Sequence, residues 1–268
     1  MTVASTVARA AAATLIDQRR AGPYRVLTVH APDVVAGARP GQFGSVGVEA
    51  PRTLLRRPFA IAGADRERAT LDLVVAPVGV GSRWLAQRPA PWTLDVVGPL
   101  GTGFTLPRAP GRGVLVGGGY GTAALAWLGA HLRAAGGVVE LLSGAASAAA
   151  LYPVSPVADG VGPVIETTED GSHGRRGLVT DALVERLRAA PEATVYACGP
   201  MPMLAAVAGI AAREGCACQV AVEEHMGCSV GVCMTCVVPT RDGYVRACIE
   251  GPVLDARWVD WEAVARRG

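Results

Sequence analysis

Val114-Leu115-Val116-Gly117-Gly118-Gly119-Tyr120-Gly121-Thr122-Ala123-Ala124 is the stretch that decides the fold. A short apolar run enters a glycine-rich turn and leaves into a segment, 122–135, that reads as a helix. Backbone amides at the start of such a helix can hold a pyrophosphate, and glycine lets the anion approach. A plain tight turn would show the same pattern. The only acid near the usual ribose-binding offset, Glu140, falls inside a predicted strand and not at its end. Downstream, strands at 138–142 and 195–198 alternate with helices at 180–189 and 201–213, which predicts a doubly wound parallel sheet.

Upstream the texture differs. Strand-like runs at 24–29, 42–48, 59–61, 71–76 and 93–97 are separated at short intervals by Pro and Gly, as in an antiparallel barrel or sandwich. Residues 1–10 show no period and read as a loose arm. Beyond Gly215 the alternation gives way to a tail rich in Cys and Gly. Three domains are expected: a β domain over 1–108, an α/β domain over 109–214 and a small metal-binding domain over 215–268.

Composition excludes several classes. Half of the 268 residues are apolar and 18% are charged, so the chain is not globally disordered. A net charge of +2 without a basic run does not suit phosphate neutralisation, and no nucleic-acid partner is expected. All 25 basic residues are Arg, and Lys and Asn are absent. A Walker A loop and a Lys Schiff base are therefore excluded, as is N-glycosylation. No signal peptide is read at the N-terminus. The longest uncharged window, 113–130, has four glycines near its middle and suits a strand, turn and helix better than a membrane span. A cytoplasmic location and no membrane partner are the expectation.

The seven cysteines all lie from Cys198 onward. Clustering at one end points to a metal site and not to a disulfide framework. Cys228-x4-Cys233-x2-Cys236 matches the plant-type [2Fe–2S] spacing, and Cys248 supplies a fourth ligand from a later segment. Gly227 and Gly231 let the loop wrap a cluster closely. A structural zinc is the alternative, although zinc usually takes paired CxxC knuckles and here only one exists. Cys216 and Cys218 read as thiols outside the ligand set.

Three further stretches carry chemistry. Arg56-Arg57-Pro58-Phe59-Ala60-Ile61, followed by Val78-Gly79-Val80-Gly81-Ser82, could grip a diphosphate through Arg and turn amides; an exposed edge strand containing Pro is the bland alternative. Tyr196-Ala197-Cys198-Gly199-Pro200-Met201 closes a strand and opens a helix, where open α/β sheets bind ligands. Cys198 there is either a small buried hydrophobe or a residue beside a redox ring. Gly227-Cys228-Ser229-Val230-Gly231 matches a nucleophile elbow only formally, because no His follows it; all four His read as ordinary polar residues.

In chain order, Arg57-Pro58-Phe59-Ala60, Gly98-Pro99-Leu100-Gly101-Thr102-Gly103-Phe104, the Gly117 turn, Thr168-Glu169-Asp170-Gly171-Ser172, Cys198-Gly199-Pro200, Glu224-His225-Met226-Gly227-Cys228 and Cys248-Ile249-Glu250-Gly251-Pro252-Val253 are found together. This set resembles the electron-transfer subunits of type B dihydroorotate dehydrogenase, in the ferredoxin reductase superfamily. The resemblance implies a Greek-key FAD-binding β-barrel, a doubly wound NAD-binding domain and a C-terminal [2Fe–2S] domain. It implies that Arg57 holds the FAD diphosphate with Gly81 and Ser82. Pro58, Phe59, Ala60, Leu73, Val74 and Val75 would lie along the flavin. Gly117, Gly118, Gly119, Gly121 and Gly199 would serve the nucleotide, with Cys198 as the catalytic residue near the nicotinamide.

The implied activity is transfer of electrons from an FMN-containing dihydroorotate dehydrogenase partner through the cluster and FAD to NAD, in pyrimidine biosynthesis. The implied assembly is a heterotetramer of two copies of each subunit. A reductase subunit of a hydrogenase or of a ferredoxin–NAD(P) transhydrogenase is the alternative, and a zinc-stabilised binding protein is a lesser one. Ala60 stands where the family usually has Ser, and Ala123-Ala124 replaces a Pro-containing helix start. No basic residue occurs in 143–150, which favours NAD over NADP.

Overall fold

The amino-terminal runs pair antiparallel and close on themselves. The computed structural model describes residues 9–51, 53–154 and 158–267. In it β1 (Arg9–Ala21), β2 (Tyr24–His30), β3 (Phe43–Val46), β4 (Arg57–Asp65), β5 (Thr70–Val75) and β6 (Trp92–Leu100) form a closed barrel in the order β1-β2-β5-β4-β3-β6. Short helices α1 (Pro32–Val35) and α2 (Val80–Leu85) fill two of its connections. Strand alternation explains the interior: Leu27, Val29, Val46, Leu71, Leu73, Val75, Leu94 and Val96 meet inside it.

Closure has two consequences for the sequence reading. β4 lies between β5 and β3, so Pro58 is not on an edge strand; it sits at the start of β4, opposite Ser45. The stretch 9–21 is a long strand and not the tail of a loose arm, whose residues 1–8 lie outside the described residues. Its alanines give no apolar–polar contrast. Pairing with β2 on one side and β6 on the other makes it a strand.

The second unit is built on β7 (Arg112–Gly118), α3 (Gly121–Ala134), β8 (Val138–Ala145), α4 (Ala158–Val161), β9 (Val164–Thr168), β10 (Arg175–Arg176), α5 (Val179–Ala189), β11 (Thr194–Cys198), α6 (Met201–Arg213) and β12 (Cys218–Ala221). After β12 comes the cysteine loop, then the hairpin β13 (Val237–Thr240) and β14 (Gly243–Arg246), then β15 (Val253–Asp255) and α7 (Trp261–Ala265). The sheet has seven strands in the order β10-β9-β8-β7-β11-β12-β15, parallel except for β15. The chain beyond Gly215 thus first completes the nucleotide-type sheet. The cysteine-rich segment is an excursion between two neighbouring strands, too short on either side to read by periodicity.

One core spans the joint between the units. Phe43 and Leu100, on the outer face of the barrel, are buried in the same cluster as Val116, Val195 and Leu254 of the sheet and Cys236, Val238 and Cys248 of the excursion. Glu140 is occupied structurally, 3.2 Å from Arg112, and is not a ribose ligand. Among the described residues no helix is long and apolar enough to cross a membrane.

Two glycine substitutions should move stability in opposite directions. A Cβ on Gly117 would sit 2.7 Å from the Cα of Thr122, jamming the turn into α3. Gly209 lies within α6, and its added Cβ would meet only Arg213, at 3.5 Å. Gly117→Ala should cost about 1–3 kcal/mol by overpacking. Gly209→Ala should add about 0.5–1 kcal/mol by restricting the unfolded chain. Denaturant titration of both variants checks the pair of signs.

Candidate functional site

Two clefts open at the carboxyl ends of the sheet strands, where open α/β sheets place ligands. The larger, of about 790 Å³, lies between the barrel and the second unit. Arg57, Pro58, Phe59 and Ala60 of β4, Val74 of β5 and the turn into α2 line its barrel side. Cys198, Gly199 and residues 221–227 line the other. The smaller, of about 580 Å³, is walled by Gly118, Gly119, Gly144, Thr167, Glu169 and Met203, among others. Tyr120 and Glu223 line both, so the clefts join there.

The two arginines at the entry to β4, Arg56 just before it and Arg57 its first residue, point opposite ways. Arg57 turns into the larger cleft, where its Nε lies 3.0 Å from the point a Cβ on Gly81 would occupy, so a side chain there would crowd the guanidinium. Its Nη1 donates to the Leu55 carbonyl at 2.6 Å. Arg56 points the other way and is bound to the Asp95 carboxylate and to the Ser45 carbonyl. The Ser82 hydroxyl accepts the Gly79 N–H at 3.0 Å, shaping the turn beside Arg57.

Not every expected residue reaches a cleft. The side chains of Leu73 and Val75 are fully buried inside the barrel, because alternation sends only Val74 outward. Gly117 packs beneath Thr122 and lines neither cleft, whereas Gly118 and Gly119 line the smaller and Gly121 and Gly199 the larger. A Cβ at Gly199 would come 3.0 Å from the Gly118 backbone, and one at Gly118 would come 2.8 Å from Met203 and Pro200, so neither turn has room for a side chain. Burial pushes the Cys198 thiol up to about 12, so it is neutral at physiological pH. It can serve as a small polarisable wall or weak donor, not as a thiolate or a base.

Sequence reasoning missed Tyr120, Thr167, Glu223 and His225, which line the clefts. Tyr120 stands within the glycine turn and His225 within the Glu224–Cys228 stretch, where it reads as an ordinary polar residue; Thr167 and Glu223 carry no motif of their own. Burial raises the Glu223 carboxyl above its ordinary range, with the charge of His225 opposing. Thr167 is buried in the wall of the smaller cleft, its Oγ1 packed behind Gly144.

The four cysteines of the spacing motif come together as two pairs. The Cys228 sulfur faces the backbone N–H groups of Val230, Val232 and Cys233 at 3.3–3.4 Å, and the Cys228 N–H faces the Cys233 sulfur at 3.3 Å. Cys248 lies in contact with Cys236. The Thr235 hydroxyl donates to the Cys233 sulfur at 3.1 Å and, with nearby N–H groups, lowers its pKa to about 6. Burial, then Cys236, pushes Cys248 up to about 12. Two thiol pairs, the Cys228–Cys233 pair ringed by amide donors, fit a cluster with two irons, each taking one pair. A single zinc needs four donors converging on one point. Cys216 is elsewhere, with its sulfur 3.3 Å from the Pro191 carbonyl, and Cys218 is buried in β12.

Comparison with known proteins agrees with this geometry. Residues 223–260 match the iron–sulfur cluster binding domain of dihydroorotate dehydrogenase B, and residues 156–209 match an oxidoreductase NAD-binding domain. The dihydroorotate dehydrogenase B (NAD(+)) electron transfer subunit of Bacillus caldolyticus is 40% identical over 225 residues, which is 81% of this chain and 85% of that protein. The chain belongs to the dihydroorotate dehydrogenase B electron transfer subunit family. The member from Desulforamulus reducens is 34% identical over 237 residues, covering 87% and 90% of the two chains. Among solved structures, a chain of an NADH-dependent reduced ferredoxin–NADP oxidoreductase superposes with a TM-score of 0.85 at 28% identity, covering 99% of this chain and 94% of that one. The ferredoxin reductase of carbazole 1,9a-dioxygenase, at 20% identity and a TM-score of 0.70, shares the fold over 80% of this chain and 68% of its own.

Family membership makes the protonation state of Cys198 a useful check. With its pKa raised to about 12, thiolate is scarce below that pH. Alkylation by iodoacetamide at pH 8 should run about a thousandfold slower than for an unperturbed thiol. The rate should keep rising through pH 9–11, without the plateau of an ordinary cysteine. Mass spectrometry of the Cys198 peptide over time measures both.

Proposed function

We propose that this chain is the electron-transfer subunit of an NAD-linked dihydroorotate-oxidising complex, docked through its cysteine loop on an FMN-containing catalytic partner. The observation that carries the docking is a rim of exposed apolar side chains around that loop. Leu54 is 96% exposed and Val232 79%, with Val230, Met234, Leu55 and Ile249 beside them. Leu55 lies 3.9 Å from the Cβ position of Gly227, and Ile249 lies 2.7 Å from that of Gly231, so the rim borders the loop directly. An apolar surface around a redox centre suits a partner that must exclude water there. Two copies of each subunit, in the cytoplasm, is the assembly we infer from the resemblance.

When bound, the cluster carries single electrons, FAD couples them to a two-electron hydride exchange, and NAD takes the hydride. The residues of this chain bind and orient. Cys228, Cys233, Cys236 and Cys248 would ligate the cluster. Arg57, with the Gly81–Ser82 turn, would hold the FAD diphosphate by charge-assisted bonds. Pro58, Phe59, Ala60 and Val74 would wall the flavin, and Ala60 offers it no side-chain hydroxyl. Gly118, Gly119, Gly121 and Gly199 let a dinucleotide approach the backbone closely, and Cys198 supplies a neutral wall. The smaller cleft is lined by Glu169 and Glu223 and by no Arg among the described residues, which suits the free 2′-hydroxyl of NAD and opposes a 2′-phosphate.

The two arginines provide a test of the flavin site. Arg57→Ala should weaken FAD binding by about one to two orders of magnitude, the loss of one charge-assisted bond. Arg56→Ala breaks the link to Asp95 and should lower the melting temperature while leaving FAD affinity near wild type. Flavin titration of both apoproteins and iron content on the same samples separate the outcomes, and iron should stay constant. Equal affinity in both variants would place the diphosphate elsewhere.

The subunit reading has its own test. The isolated chain should oxidise NADH with an artificial acceptor and leave dihydroorotate untouched. Co-expressed with an FMN-containing dihydroorotate-oxidising subunit, it should co-purify and support NAD reduction. Val232→Asp together with Met234→Asp should abolish co-purification while NADH oxidation by the isolated chain persists. Dihydroorotate turnover by the single chain, or undisturbed assembly of the double variant, would contradict the reading.

A further inference from the structure

Ser229 follows the first cysteine of the loop and adopts φ +64, a left-handed conformation that glycine reaches freely and a serine does not. The turn is required: it lets the N–H groups of Val230, Val232 and Cys233 fold back onto the Cys228 sulfur. A serine at such a position needs compensation, and here its hydroxyl is used. Ser229 Oγ bonds Ser45 Oγ at 3.0 Å, across 184 residues of chain. Ser45 is 0% exposed and Ser229 1%, so water does not replace either partner.

Ser45 is well placed to transmit position. In β3, Val46 points into the barrel, while Phe43 and Ser45 face outward against the second unit. Ser45 stands opposite Pro58, a wall of the larger cleft, on the neighbouring strand β4. Its carbonyl accepts from Arg56 Nη1 at 3.1 Å, and that guanidinium is itself held by Asp95. One buried hydrogen bond therefore ties the residue next to Cys228 to a braced strand beside the flavin-type wall. We propose that the Ser45–Ser229 pair is a positioning latch that fixes the cysteine loop against the barrel and so sets the separation over which electrons cross between cluster and flavin. The proposal rests on the cluster and flavin reading given above.

The test compares Ser45→Ala, Ser229→Gly and the double variant with wild type, each as the loaded protein. Ser229→Gly relieves the backbone strain while removing the hydroxyl, so it should fold. Iron and flavin contents should match wild type, and flavin reduction after anaerobic mixing with NADH should be unchanged. The following reduction of the cluster should slow by about fivefold or more in each single variant, because transfer between two held groups depends on their separation. The double variant should be no slower than the singles, because the two hydroxyls act as one unit. The electron paramagnetic resonance lines of the reduced cluster should broaden in all three. A lowered melting temperature with wild-type cluster reduction and lines would make the pair merely structural and overturn the latch, as would effects that multiply in the double variant. Wild-type protein lacking iron or flavin would instead overturn the cofactor reading, and the latch with it.

Discussion

The arrangement of this molecule depends on the shared core that fuses its barrel to its sheet. Phe43 and Leu100 leave the barrel wall and are buried among Val116, Val195 and Leu254 of the sheet and Cys236 and Cys248 of the excursion. Apolar burial of this kind is non-directional, but a close-packed core is not continuously deformable. The larger cleft lies along this seam, and the cysteine loop is rooted in it. The larger cleft and the cysteine loop therefore share one packed frame.

Glycine does the complementary work at the surface of that frame. At the ends of β7 and β11 the backbone segments 117–121 and 198–199 approach so closely that a Cβ on Gly121 would strike the Cys198 carbonyl. The same bareness leaves room for a dinucleotide. Packing and binding thus make one demand on residue type, which explains why the glycine turn was so clear in the sequence even though its purpose was not.

Much of the architecture could be read before any coordinates, and the failures have physical causes. α3, α5 and α6 and strands β7, β8 and β11 announce themselves by period and by glycine punctuation. β1 does not, because alanines at 10–13 carry no contrast and the strand is made by its two neighbours. The cysteine loop announces itself by the spacing of Cys228, Cys233 and Cys236, and the fold brings Cys248 against Cys236. Along β5 the sequence does not show which side chains reach the larger cleft: Leu73 and Val75 flank Val74 but turn into the barrel. Thr167, Glu223 and the Ser45–Ser229 pair were invisible, since each gains its meaning from residues far along the chain.

The antiparallel pairing of β12 with β15 bears on how such proteins diversify. Gln219 stands opposite Asp255 and Ala221 opposite Val253, so the cysteine-bearing excursion leaves and re-enters the sheet at adjacent points. Its two ends are already within reach of a hairpin turn. The segment is topologically a cassette: it can be lengthened, exchanged or replaced by a short turn without rethreading any other strand. Inheritance can therefore alter the electron-entry port, and with it the choice of upstream partner, while the two-cleft reductase behind it keeps its connectivity.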